Sequence, residues 1–108
     1  MIARPPYVEP FHTTVQGIVF GRRAEVVRRL AEGDALILVP DPPGAKIPAV
    51  WVHARGGDVV GHVPLQIAAW LAPWMLSGGR CRARVEKVGG ADVESWRRLV
   101  IELRCLTD

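Results

Sequence analysis

From residue 11 onward, apolar and polar positions alternate in short stretches broken by glycine and proline. Phe11–Phe20 is rich in β-branched and aromatic residues and is stopped by Gly21, which predicts a first strand. Over Arg22–Glu32 the period lengthens to that of a helix. Val26, Val27, Leu30 and Ala31 fall on one face, with Arg22, Glu25, Arg29 and Glu32 on the other. Ala35–Val39 is a continuous apolar run of buried-strand length, and Asp41-Pro42-Pro43-Gly44 after it is a turn. Ala49–Arg55 alternates, with Val50, Val52 and Ala54 opposite Trp51, His53 and Arg55. Gly56-Gly57-Asp58 predicts a hairpin turn into Val59–Val63. Pro64 suits the first position of a helix over Leu65–Leu76, which Pro73 should kink or shorten and Ser77-Gly78-Gly79 should end. Arg80–Val88 alternates strictly, with Cys81, Ala83 and Val85 inward, and Ser95–Cys105 alternates again after a turn over Gly89–Glu94.

Six short strands, with one helix after the first and one after the fourth, predict a mainly β fold with two short helices. The expected architecture is a small, OB-like, partly open six-stranded barrel. Residues 1–10, with Pro5, Pro6 and Pro10, read as an extended leader, and residues 11–106 as one domain. A composition of 49% hydrophobic and 23% charged residues is enough to build one core without metals or crosslinks. The apolar stretches Ala35–Val39 and Ile67–Leu76 are too short or interrupted to span a bilayer, and the N-terminus lacks a signal pattern. The expectation is a cytoplasmic protein with no membrane contact.

The formal net charge of +3 permits a nucleic-acid partner without requiring one. Arginine supplies most of the positive charge, Lys46 and Lys87 being the only lysines, and arginine suits phosphate and base stacking. Cys81 and Cys105 fall on adjacent predicted strands. Free buried thiols and a disulfide both fit them. No Cys-x-x-Cys pair occurs and His12, His53 and His62 lie far from both cysteines in sequence, so no metal site is expected. Neither a nucleophile with a nearby base nor a phosphate-cradling glycine loop is present, so no catalytic residue, cofactor or enzymatic role is expected.

Three features could carry binding. Arg80, Arg82 and Arg84 form an outward stripe that the last hairpin should set beside Arg98 and Arg104. Like charges opposite one another repel, so either a phosphate backbone explains them or they are a solvated edge kept charged against pairing. Glu86 and Glu102 share that face and can neutralise it locally. Trp51 and His53 share a strand face, where the indole is either a base-stacking platform or packing beneath a helix. Trp70 and Trp74, one helical turn apart, belong to a core or to a partner surface.

Taken in order, several local patterns resemble the HIRAN domain, a module of chromatin-remodelling helicases and of free-standing bacterial proteins. They are Val15-Gln16-Gly17-Ile18-Val19-Phe20 before a short helix, then Leu30 with Gly33-Asp34 and Leu36-Ile37-Leu38. The loop Asp41–Pro48 follows, leading into Ala49-Val50 and Val52. Gly57-Asp58-Val59-Val60-Gly61-His62-Val63-Pro64 is similar to the family's Val-Gly-Tyr/His-Val-Pro signature, and Gly78-Gly79 precedes the penultimate strand. The likeness runs from Phe11 to Cys105.

It implies an OB-like barrel and, from the helicase-linked members, a pocket for the 3′-hydroxyl end of single-stranded DNA. Several of the family's pocket positions are replaced here. Thr13 and Thr14 stand for an aromatic and a basic residue, and Ala45, Lys46 and Pro48 for the loop motif that holds the hydroxyl-binding carboxylate. Leu65 stands for a further basic residue. His62 alone matches, as a phosphate donor or as a strand-end histidine bonded to a carbonyl.

The sequence therefore leads to a DNA-binding module for single-stranded or frayed DNA ends, with Lys46, Trp51, His62, Arg80, Arg82 and Arg84 as contacts. The alternative is a protein-interaction domain with a closed pocket that dimerises or docks through the Trp70/Trp74 helix.

Overall fold

A computed structural model describes residues 9–42, 44 and 46–106. The leader expected over 1–10 therefore lies outside the described residues except for Glu9 and Pro10. Six strands form one antiparallel sheet in the order β1-β6-β5-β2-β3-β4, curled into a half-barrel: β1 (Phe11–Thr14), β2 (Ala35–Pro40), β3 (Val50–Ala54), β4 (Val59–His62), β5 (Arg80–Val88) and β6 (Leu99–Leu106). Among the described residues there are three short helices: α1 (Arg23–Arg28), α2 (Leu65–Leu76) and α3 (Ser95–Arg98).

Alternation decides which side of each strand is dry. Leu36 and Leu38 of β2, Val50 and Val52 of β3, and Ile101 and Leu103 of β6 are buried together. Removing side chains of this size from water supplies about 1.5–3 kcal/mol each. From α2, Ala68, Leu71, Ala72 and Trp74 close the interior, and the helix keeps its full expected length with Pro73 inside its last turn. No helix among the described residues is long and apolar enough to cross a membrane.

Four elements differ from the sequence expectation. Helix α1 covers only Arg23–Arg28 of the helix expected over Arg22–Glu32. Strand β2, expected as a buried strand, buries Leu36 and Leu38 while Ala35, Ile37 and Val39 are exposed. The first strand stops at Thr14 instead of reaching Phe20. Beyond it, Val15 and Ile18 are still buried, but Gly17 takes a φ of +69° that turns the chain out of the strand. The segment expected as strand from Ser95 begins with the single turn α3 and is extended only from Leu99. Arg98 consequently leaves the arginine stripe: its Nε and Nη2 donate to the Val93 carbonyl at 3.0 and 2.7 Å, closing the preceding loop.

A short seam joins the free edges of the curled sheet. Val15 N donates to Leu99 O at 3.0 Å, prolonging the β1–β6 pairing by one bond. Gln16 then turns to the opposite edge, donating to His62 O at 2.8 Å and accepting from His62 N at 3.0 Å. Gly61 makes the approach possible. A Cβ there would stand 2.3 Å from Gln16 O and 2.7 Å from Val15 Cγ1, closer than any side chain allows.

Candidate nucleic-acid interface

The seam carries functional groups to the outer face of β2, β3 and β4. Because residues of one parity face outward, Val39 pairs with Trp51 and Trp51 with His62 in a row across three strands. Ile37 pairs with His53 in the next row. Ile37 and Val39 are 46% and 41% exposed, an apolar strip on an open sheet face.

Trp51 is held on three sides. Its Nε1 donates to Asp41 Oδ1 at 3.0 Å, fixing the ring plane. The His62 ring meets it edge-on at 5.5 Å between centroids. The Arg23 guanidinium lies over it, 5.4 Å from the ring centre. Trp51 is thus a half-buried support for a cation, not an open platform for a base.

Arg23, the first residue of α1, was not among the residues expected from sequence. Its Nη1 donates to Gly17 O at 2.9 Å, and its guanidinium also lies 5.6 Å from the centre of the Phe20 ring. No carboxylate pairs with it among the described residues. Two aromatic faces and one carbonyl fix this cation while leaving N–H donors uncommitted. A side chain at residue 17 would crowd it, since a Cβ there would come within 3.3 Å of Arg23 Nη1 and of His62 Nε2. Phe20 itself is 65% exposed at the loop tip. An open crevice of about 380 Å³ adjoins, lined by Phe20, Arg22, Arg23, Val26, Asp58 and Val59.

His62 Nδ1 lies 3.1 Å from the Val63 carbonyl. A carbonyl only accepts, so that nitrogen carries the proton, and Nε2 is left as a lone pair in the neutral ring and a donor in the imidazolium. His53 Nδ1 is held in the same way by Gly57 O at 2.9 Å.

The remaining expected contacts are dispersed. Lys46 is exposed on the β2–β3 loop, the loop that also supplies Asp41. Arg84 is tied by Nε and Nη2 to both carboxylate oxygens of Glu102 at 3.1 and 3.4 Å, the neutralisation that the shared face suggested. Glu102 also lies 3.8 Å from His12 Nε2, with Glu86 3.5 Å from the same nitrogen, a cluster not anticipated from sequence. Arg82 sits directly opposite Arg104 on β6, and Arg80 opposite Leu106. These arginines project from the same sheet face as Ile37 and Val39 but two or more strands from Trp51.

Trp74 is 7% exposed, which removes it from the surface on which a partner was expected to dock. Trp70 packs against Phe11 with ring centres 5.9 Å apart. The exposed tryptophan is instead Trp96 of α3, at 58%. Its carbonyl accepts from Gln16 Nε2 at 3.2 Å, so it stands beside the seam. Cys81 and Cys105 face each other across β5 and β6 as free thiols, Sγ to Sγ 3.8 Å. Burial pushes both thiols up, and the neighbouring sulfur raises Cys81 further. Comparison with known proteins finds no matching family model, no matching curated protein and no matching solved structure.

Proposed function

We propose that this chain is a HIRAN-like module that binds single-stranded DNA and does no chemistry, holding the strand on the outer face of β2–β4 at the corner formed by Arg23, Trp51 and His62. The observation that carries this reading is the Arg23 guanidinium, braced by Trp51, Phe20 and the Gly17 carbonyl with no acidic partner among the described residues. Its position is set before any ligand arrives, so little side-chain entropy is lost when its free N–H groups meet a phosphate. Phe20 offers an exposed ring for a base, a contact worth about 1–3 kcal/mol in single-strand binders. The exposed apolar strip Ile37–Val39 continues the surface beside Trp51 and leaves room for bases along it.

The strand is bound along its backbone and not by its terminus. Lys46 stands at the loop position where the resemblance implies a hydroxyl-binding carboxylate, and one oxygen of the nearby Asp41 is committed to Trp51. The alternative of docking or dimerising through α2 loses its main support with the burial of Trp74.

Fluorescence anisotropy tests the proposal, using labelled single strands of about 12 nucleotides at about 50 and 200 mM salt. Binding should weaken steeply with salt, should fall about tenfold in Arg23→Ala, the loss of one charge-assisted contact, and should not change when the 3′-hydroxyl is blocked. Absence of binding at low salt, or equal binding by Arg23→Ala, would refute it.

A further inference from the structure

Arg82 and Arg104 are direct cross-strand partners on β5 and β6. Side chains at such positions start about 5 Å apart, so two guanidinium groups there repel unless an anion lies between them. Among the described residues neither has a carboxylate within ion-pair distance. The neighbouring pair on the same two strands is solved differently: Arg84 faces Glu102 and is bonded to it twice. The same face therefore holds one neutralised pair and, one row on, one pair left doubly positive.

The doubly positive pair lies across the same sheet face from the Arg23 corner, one row off it. Strand β2 pairs with β5 through Ala35–Arg84 and Leu36–Ala83, so Ile37 is the next residue along towards the Arg82 end. Across β2, Ile37 pairs with His53 of β3, which faces Val59 of β4, and the adjacent row holds Val39, Trp51 and His62. From β5 to β4 is three strand steps, about 14 Å at about 4.8 Å per step. The surface between is the exposed aliphatic strip of Ile37 and Val39, with no acidic side chain on β2 or β3. Two cationic points separated by an uncharged, apolar saddle complement a chain with phosphates at its edges and bases between them.

We infer that Arg82 and Arg104 form a second phosphate clamp, and that the DNA strand runs across β3, β2 and β5 from the Arg23 corner to this pair. The inference rests on the single-strand reading above and adds a path and a minimum length to it. At the ~3.4 Å rise of a stacked strand, bridging the two points takes about four nucleotides, and fewer where the strand is extended. A shorter oligonucleotide reaches one clamp only.

A length series of oligothymidylates, from about 2 to about 10 nucleotides, tests this by anisotropy competition. In the native protein affinity should rise at least tenfold as the length passes about four nucleotides. In Arg82→Glu/Arg104→Glu that step should vanish, with the dinucleotide unaffected and the salt dependence of the longest oligomer shallower by about 0.7 in log–log slope per lost contact. The milder Arg82→Gln/Arg104→Gln should lose most of the step, which guards against an effect of charge reversal on folding. Arg23→Ala should weaken every length. If both double variants match the native protein at all lengths while Arg23→Ala still weakens binding, the second clamp is wrong and the corner stands. If the native protein binds no oligonucleotide, the single-strand reading itself fails. If poly-glutamate competes as well as DNA of equal charge, the partner is an acidic protein and the path is overturned.

Discussion

Replacing Gly61 by alanine attacks the seam that curls the sheet and positions His62. The new Cβ would begin 2.3 Å from Gln16 O, and ordinary contact starts near 3.4 Å, so the two segments must part by about 1 Å. Both backbone bonds of the bridge, now 2.8 and 3.0 Å, would then be stretched beyond hydrogen-bonding range. Each contributes about 1 kcal/mol net, and more where a buried group is left unpaired, while overpacking Val15 adds about 1–3 kcal/mol. The sum is a loss of about 3–5 kcal/mol. For a domain of this size that lowers Tm by roughly 10–25 °C. Urea and thermal unfolding followed by circular dichroism measure it directly. A Gly61→Ala protein within about 0.5 kcal/mol of the native one would show that the seam is not what closes the half-barrel.

Two further outcomes follow from the packing. Trp74→Ala, which empties a buried site, should cost about 3–5 kcal/mol in denaturant unfolding, while Trp96→Ala at the exposed turn should stay within about 0.5 kcal/mol; the reverse order would contradict the placement of the two indoles. Because the thiolate is the reactive form and both thiols are raised by burial, alkylation of the folded protein near neutral pH should run at least tenfold slower than that of the urea-unfolded chain, and should still be accelerating as the pH passes the ordinary thiol range. Equal rates would show that Cys81 and Cys105 are accessible.

What could be read from sequence tracks how clearly each segment's apolar residues are bounded by turn and cap residues. Strands β2 to β5 and helix α2 stand close to their expected limits, because apolar positions repeat without interruption and Gly56-Gly57-Asp58, Pro64 and Ser77-Gly78-Gly79 mark their ends. The failures are segments whose composition and path disagree. Val15–Phe20 has the residues of a strand, yet Val15 and Ile18 are buried from a loop after Gly17 turns the chain. Ser95–Arg98 is one turn long, too short to show a period, and its apolar member Trp96 points outward.

The site was legible only in its sheet half. The hairpin from β3 to β4 sets Trp51 opposite His62, and alternation already separated Trp51 and His53 from the core. Arg23 carried no local signal, since a charged residue opening a helix reads as solvated surface. Only the nearness of Gly17, Phe20 and Trp51, residues six behind, three behind and twenty-eight ahead in the chain, sets it apart. Likewise the arginine stripe divides by what each residue faces, Glu102 for Arg84 and Arg104 for Arg82, a distinction that needs the β5–β6 register.

The most direct test of the account is a ¹⁵N–¹H correlation spectrum of the protein titrated with oligothymidylate. The Trp51 indole N–H, the Gly17 and His62 amides and the Arg23 side-chain Nε–H should shift together and saturate at one equivalent, while the Trp74 indole stays in place. Saturable binding that moves α2 and leaves Trp51, Gly17 and Arg23 unperturbed would contradict it, as would a spectrum unchanged by DNA at low salt.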